Sequence, residues 1–254
     1  MFSDTLTHIL ICSVSILFLG CNHKQDITAN EVVSNSIITM GGMENILNTK
    51  SKTITGVYFE PAYNLVLKFK LQYQRPNSRL MEGKMDDGTF FYEGFDGETA
   101  WEYYKGDTMP RIMNGEAYKA IERGAEFDVS FVNYENKNNS IALIGIRKIG
   151  NRQTYELDLI ESGGWVKTYF IDTSTFLVVA VKKEMPVHAK GPDISILVNY
   201  AEYHEVNGVL YPFTITERDI SDGGKILNAF FVNQIEVNTL LDPKIFDHLS
   251  ATDN

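Results

Sequence analysis

Residues 62–75 read AYNLVLKFKLQYQR. Tyr63, Leu65, Leu67, Phe69, Leu71 and Tyr73 take every second position, with Asn64, Val66, Lys68, Lys70 and Gln72 between them. A helix groups residues three or four apart, whereas an extended chain, with its period of two, gathers this whole set on one side. The stretch therefore predicts a long, half-buried strand with its lysines in water.

The same period runs outward through most of the chain. It recurs in SRLMEGKM (78–85), TFFYEGF (89–95) and ETAWEYY (98–104), then in SIALIGIRKI (140–149), QTYELDLI (153–160) and WVKTYFI (165–171). It continues in TFLVVAVKKE (175–184), DISILVNYAEYHE (193–205), VLYPFTITERDI (209–220) and KILNAFFVNQIEV (225–237). Asp96-Gly97, Gly150-Asn151, Gly163-Gly164, Asn207-Gly208 and Asp222-Gly223-Gly224 punctuate these runs with residues that tolerate positive φ. Strand, tight turn and strand follow one another without long helices, which predicts antiparallel meanders rather than βαβ units. Pro212, alone inside a strand pattern, marks an edge, a bulge or a strand start.

Two segments break the pattern. Residues 27–49 carry Val32, Val33, Ile37 and Ile38 at helical spacing, then Gly41-Gly42, then Met43, Ile46 and Leu47, which predicts two short helices around a turn. Thr28 or Asn30 caps the first. After Asn114, Ala117, Ala120 and Ile121 suit one side of a helix ended by Gly124. That helix divides about five strands from about six, and LDPKIFDHLS (241–250) forms a terminal turn or short helix. The fold class is α+β, mainly antiparallel β, in a single domain over residues 29–254. So many strands must curl or pack in two layers, and the period leaves open whether they make a sandwich or an open barrel.

The leader has a different character. ILICSVSILFLG (9–20) has no charge and spans about 18 Å as a helix, short of the roughly 30 Å of a bilayer core. It suits the apolar region of an export signal over residues 1–20, although no Lys or Arg precedes it; a buried first segment is the alternative. Cleavage after Gly20 leaves Cys21 as the one remaining cysteine, so no disulfide forms within the mature chain. FLGC resembles the end of a bacterial lipoprotein signal, which implies an acylated Cys21, a polar tether over residues 21–28 and membrane attachment through that residue. The net charge of −10 is scattered, which argues against a nucleic-acid surface.

The helix pair around Gly41-Gly42, with YEGFDGETAWEY (92–103), GAEFDVSFVNY (124–134), YFIDTSTFLVVAVKKE (169–184) and YAEYHEVNGVLYPFTI (200–215), resembles the outer-membrane lipoprotein-sorting family of LolA and LolB. The likeness is greatest to LolA-like lipoproteins of Bacteroidota and runs from about Asn30 to Phe246. It implies an open, incomplete β-barrel of about eleven strands around an apolar cavity, covered by short helices. It further implies a noncatalytic envelope protein, anchored at the outer membrane, that binds acyl chains or lipidated proteins. Apparent lipidation departs from LolA, a soluble shuttle, and the loop GDTMP (106–110) offers only Met109 as an apolar tip of the LolB kind.

On that reading the cavity wall comprises Tyr63, Leu65, Leu67, Phe69, Leu71 and Tyr73, with Phe91 and Trp101 beside them. Ordinary packing of a sheet against its own helices explains the same residues. Arg111, Arg123 and Arg147 read as solvated side chains, or as arginines pairing across the mouth to hold a helical lid. Glu93, Asp96 and Glu98 read as turn residues rather than metal ligands, as do the runs at 86–89 and 221–224. His188, His204 and His248 lie far apart, and no HExxH, GxSxG or GxGxxG occurs, so no catalytic residue, metal or cofactor is expected. The competing function is a structural or interaction lipoprotein with a filled interior, a partner or chaperone of another envelope protein.

Overall fold

The structure, a computed structural model, describes residues 27–185 and 194–253. The leader, Cys21, most of the tether and His188 lie outside the described residues. Helices α1 (Ala29–Thr39) and α2 (Gly42–Asn48) precede a first meander of β1 (Ser51–Glu60), β2 (Leu65–Gln74), β3 (Ser78–Lys84), β4 (Phe90–Phe95), β5 (Ala100–Tyr104) and β6 (Arg111–Ile112). Helix α3 (Gly115–Gly124) leads to a second, of β7 (Ser140–Ile149), β8 (Arg152–Ile160), β9 (Val166–Asp172), β10 (Val178–Met185), β11 (Ile194–Val206), β12 (Val209–Asp219) and β13 (Lys225–Val237).

All thirteen strands form one antiparallel sheet in the order β6-β5-β4-β3-β2-β1-β13-β12-β11-β10-β9-β8-β7. Each strand pairs with its sequence neighbour except at the middle, where β1 pairs with β13. The sheet is not closed; β6 and β7 are its edges, and residues 113–139 pass from one edge to the other. This agrees with an open barrel but corrects its strand count from eleven to thirteen. The second meander has seven strands rather than six, and the first ends in the two-residue β6, too short to show a period.

The opening stretch is also shorter as a strand than its alternation suggests. Pro61 starts a 3-10 turn, Pro61–Tyr63, and Asn64 takes a φ of 49°, so β2 begins only at Leu65. A fixed proline φ and a missing N–H favour the turn over two more ladder residues. Beyond it the pattern holds as far as Lys70, with Leu67 and Phe69 buried and Lys68 and Lys70 exposed, but Gln72 on the lysine side is buried and Leu71 half-buried. Pro212 lies within β12, beyond the point where the ladder to β13 begins at Thr214, so its missing N–H faces no strand there. Tyr203 lies opposite it, and the ladder then skips Glu202, at a φ of 55°, and Phe213.

Both helices of the N-terminal pair pack on the second meander. Thr28, rather than Asn30, caps α1: its hydroxyl accepts from the Glu31 N–H, and the Glu31 carboxylate accepts from the Thr28 N–H. Val32, Val33, Ile37, Met40 and Ile46 then join Leu157, Leu159, Tyr169 and Ile171 of β8 and β9 in the largest core cluster. A second layer covers the opposite face of the first meander, where Trp101 and Leu80 pack under Phe246 and the indole donates to the Phe246 carbonyl at 2.8 Å. Among the described residues no helix is long and apolar enough to cross a membrane.

Gly41 joins the helix pair to the sheet. Its φ is 120°, and a Cβ there would lie 2.0 Å from the Gly208 carbonyl oxygen in the β11–β12 turn. The same approach lets the Leu210 N–H donate to the Met40 carbonyl at 2.9 Å. Gly42, at φ 85°, would meet nothing within 4 Å. Gly41→Ala should therefore lower stability by about 2 kcal/mol or more in urea denaturation. Gly42→Ala should cost only about 1 kcal/mol, the penalty of its left-handed backbone. Equal losses would contradict the close-approach account.

Candidate functional site

The sheet curls enough for residues of β1–β4 and β9–β13 to surround one cavity of about 600 Å³. Leu71 and Met81 form one part of its wall. Phe230 and Ile215 continue it, and Val198, Tyr200, Val181 and Tyr169 complete it from the second meander. Met40, Ile46 and Val209 close the end beneath the helices, while Ala120, Ile121, Phe127 and Val129 cover it from above. Tyr200 and Tyr203 are pushed upward by burial, so their hydroxyls stay neutral; Tyr203 donates to the Val178 carbonyl at 2.6 Å.

The segment 113–139 crosses the concave face as a strap held by ion pairs and by buried apolar side chains, Ile121 and Ala125 against Phe95 and Ala100 among them. Arg75 donates to both carboxylate oxygens of Asp128, at 2.6 and 2.8 Å, and also to the Thr49 and Ile46 carbonyls. This bidentate pair ties the strap to β2 and to the end of α2. Lys167 of β9 lies 3.1 Å from Glu126 and 2.6 Å from Glu161, and donates to Ser130. Desolvation would raise the Glu126 carboxyl, but Lys167 and Lys137 outweigh it and hold the group below its ordinary value. Apolar contact adds to these ties, since Phe131 packs edge-on against Tyr169 at 5.0 Å. At the mouth the Arg123 guanidinium lies 3.9 Å over the Trp165 ring, joining the end of α3 to the β8–β9 turn.

One lysine stands apart. Lys52 of β1 donates to the Phe127 carbonyl at 2.5 Å, and its ammonium lies 4.1 Å from the Phe127 ring centre and 5.0 Å from that of Tyr73. Arg79 pairs with Glu93, Lys183 with Glu217 and Lys167 with its two glutamates, while Arg123 at the mouth is stacked on Trp165. Among the described residues no carboxylate lies within ion-pair distance of Lys52, because nearby Asp128 is taken by Arg75.

The eight expected wall residues separate into four groups. Leu71 and Tyr73 line the cavity. Leu67, Phe69, Leu65 and Phe91 form a cluster behind it, and Phe69 reaches Phe230 of the wall at 5.4 Å. Tyr63 is 78% exposed in the turn before β2. Trp101 lies on the other face of the sheet from Phe91: the register pairs Gly94 with Trp101 and Phe91 with Tyr104, and three residues along a strand reverse the side. An indole over Gly94, where a Cβ would lie 2.1 Å from the ring, holds Trp101 there.

Of the three arginines, Arg123 stands at the mouth, Arg111 lies over Tyr104 near Asp107, and Arg147 pairs with Glu156. Asp96, Asp247 and His248 converge, but Asp96 accepts from the N–H groups of Glu98 and Thr99, and Asp247 from that of Leu249. Turn geometry accounts for both carboxylates. The wall contributed by the second meander was not singled out in the sequence, although its strands show the same alternation.

No family model matches the chain, and no curated protein matches it. Solved structures do. A DUF1329 family protein from Desulfovibrio piger is similar with a TM-score of 0.61 at 10% identity, over 88% of this chain and 98% of that one. A LolA superfamily protein from Nitrosomonas europaea is similar at 0.55 and 12%, over 87% and 97%. A domain assigned to outer membrane lipoprotein-sorting proteins, from Vibrio parahaemolyticus, is similar at 0.56 and 11%, over 87% and 96%. At such identities the likeness is one of fold, and it is the fold that the sequence resemblance implies.

Lys52 supplies a test of the site's electrostatics. Burial lowers its ammonium to about 8, against the attraction of Asp128 and with the repulsion of Arg75. Between pH 8 and about 10.4 the unfolded chain then binds more protons at this residue than the native state, so stability rises with pH. Urea midpoints of Lys52→Met and the parent, compared at about pH 7 and about pH 9.5, should shift in the parent's favour at the higher pH. A difference independent of pH would overturn this account.

Proposed function

We propose that the protein is a noncatalytic, lipid-anchored envelope protein whose cavity binds acyl chains or another apolar ligand, with a part in lipid or lipoprotein transfer. The observation that carries this reading is the cavity of about 600 Å³, walled largely by aliphatic and aromatic side chains beneath a strap. Its size falls within the range of small-molecule sites. Each methylene moved from water into it is worth roughly 0.8 kcal/mol, enough to retain a chain without many polar contacts. A void of this volume counts against the alternative of a filled interior. Binding would need only displacement of the strap and a shift of apolar area from carrier to acceptor.

Anchoring at Cys21 and an outer-membrane location rest on the leader and on the likeness of fold to lipoprotein-sorting structures. The noncatalytic reading rests on the carboxylates, which are tied into turns and ion pairs. Partners on this view are acyl chains, lipidated proteins or another envelope protein.

Native mass spectrometry of the protein purified from its own envelope should show a lipid-bound species, and a clean mass with no extractable lipid would sink the proposal. Ile215→Trp, which places an indole in the cavity, should abolish that species while costing less than about 2 kcal/mol of stability. Undiminished loading would mean that lipid sits elsewhere. In cells given a radioactive fatty acid, Cys21→Ser should lose the label that the parent carries; equal labelling would reject acylation at Cys21.

A further inference from the structure

Among the described residues two cations of the cavity wall have no carboxylate within ion-pair distance: Arg123, stacked on Trp165 at the mouth, and Lys52, set deeper on β1. Lys52, Tyr73 and Arg79 form a single cross-strand row on β1, β2 and β3, and all three line the cavity. Arg79 gives its terminal nitrogens to Glu93 and to the Met81 sulfur, which leaves its charge neutralised. Lys52 uses one of its three N–H donors, on the Phe127 carbonyl. The nearest carboxylate, Asp128, is already held bidentately by Arg75. A partly buried ammonium with spare donors and no carboxylate of its own is costly, and a ligand anion would offset that cost.

We propose that the cavity is the site of a single-chain fatty acid, its tail on the apolar wall and its carboxylate on the Lys52 ammonium beside the Tyr73 ring. This rests on the ligand-binding reading above and names its ligand class. The Lys52 ammonium calls for one negative charge, as a carboxylate supplies. Volume sets the chain number. If each methylene takes about the 30 Å³ of a liquid water molecule, sixteen carbons need roughly 500 Å³ and two such chains about twice that. The cavity of about 600 Å³ matches the first. Arg79 lies across Tyr73 with its Nε buried and without a partner, a further donor on the same row.

Calorimetric titration of the full-length protein, stripped of copurifying lipid, tests this with palmitate, hexadecanol and dipalmitoyl phosphatidylglycerol. Palmitate should bind at least about tenfold more tightly than hexadecanol, the gain of a charge-assisted hydrogen bond. Lys52→Met should remove that advantage while hexadecanol affinity stays within about threefold, and Lys52→Arg, which keeps the charge, should retain it. A native thermal transition of each variant, followed by circular dichroism, separates loss of the headgroup contact from loss of fold. Equal affinity for palmitate and hexadecanol, unchanged in Lys52→Met, would overturn the carboxylate assignment and leave chain binding intact. Tighter binding of the two-chain phospholipid would overturn the single-chain assignment. No binding of any of the three would overturn the ligand-binding reading together with this one.

Discussion

The ladder between β1 and β13, running from Lys52 opposite Val237 to Phe59 opposite Ala229, joins two meanders that would otherwise be separate sheets. It places the start and the finish of the strand order at the centre of the sheet and leaves β6 and β7 as the outer edges. Every other pairing is between sequence neighbours, so this one carries most of the loop-closure entropy of the fold. It also explains why the sheet stays open. The chain that leaves β6 must reach β7 at the far edge, and its route lies across the concave face.

That route decides what kind of interior the protein has. A strap with a regular apolar face would pack against the sheet and fill it. Residues 113–139 instead pack apolar side chains toward each edge of the sheet, Ile121 and Ala125 on Phe95 and Ala100, and Phe131 and Val132 in the cluster of β8 and β9. They are joined to it also by Arg75 with Asp128, Lys167 with Glu126 and Arg123 over Trp165. Charged side chains reach across space without filling it, and a partly buried pair keeps its strength only while both members stay together. The strap is therefore fastened at a few points above a void. The helix pair, fixed by the contact of Gly41 with Gly208, closes one end of that void with apolar side chains.

How much of this was legible in the chain can be followed through individual residues. The alternation of Leu65 to Tyr73 identifies a strand because the pleat imposes its period on any half-buried sequence. It does not exclude Tyr63, since a turn set by Pro61 and Asn64 can precede a strand without breaking the period in the letters. Phe91 and Trp101 both look like wall residues beside the same turn, yet the register places them on opposite faces. A shift of one residue exchanges the two sides of a strand, and only pairing with a neighbour settles which side is which. Lys52 carried no signal at all. A lysine opening a strand is ordinary until Phe127 and Tyr73, distant in sequence, are brought around it.

The amino-acid sequence by itself determined the local periods: strands from alternation, turns from Asx-Gly and Gly-Gly pairs, short helices from apolar residues three and four apart, and the chemical contrast between leader and domain. These depend on backbone geometry within a few residues, which the order of side chains expresses directly. Tertiary structure alone decided that the first and last strands pair, which face of each strand is concave, where the strap crosses and how large a space it leaves. Those outcomes depend on contacts between residues far apart in the chain. The volume of the cavity and the isolation of Lys52 are properties of such contacts, for they are defined by which groups come close and which do not.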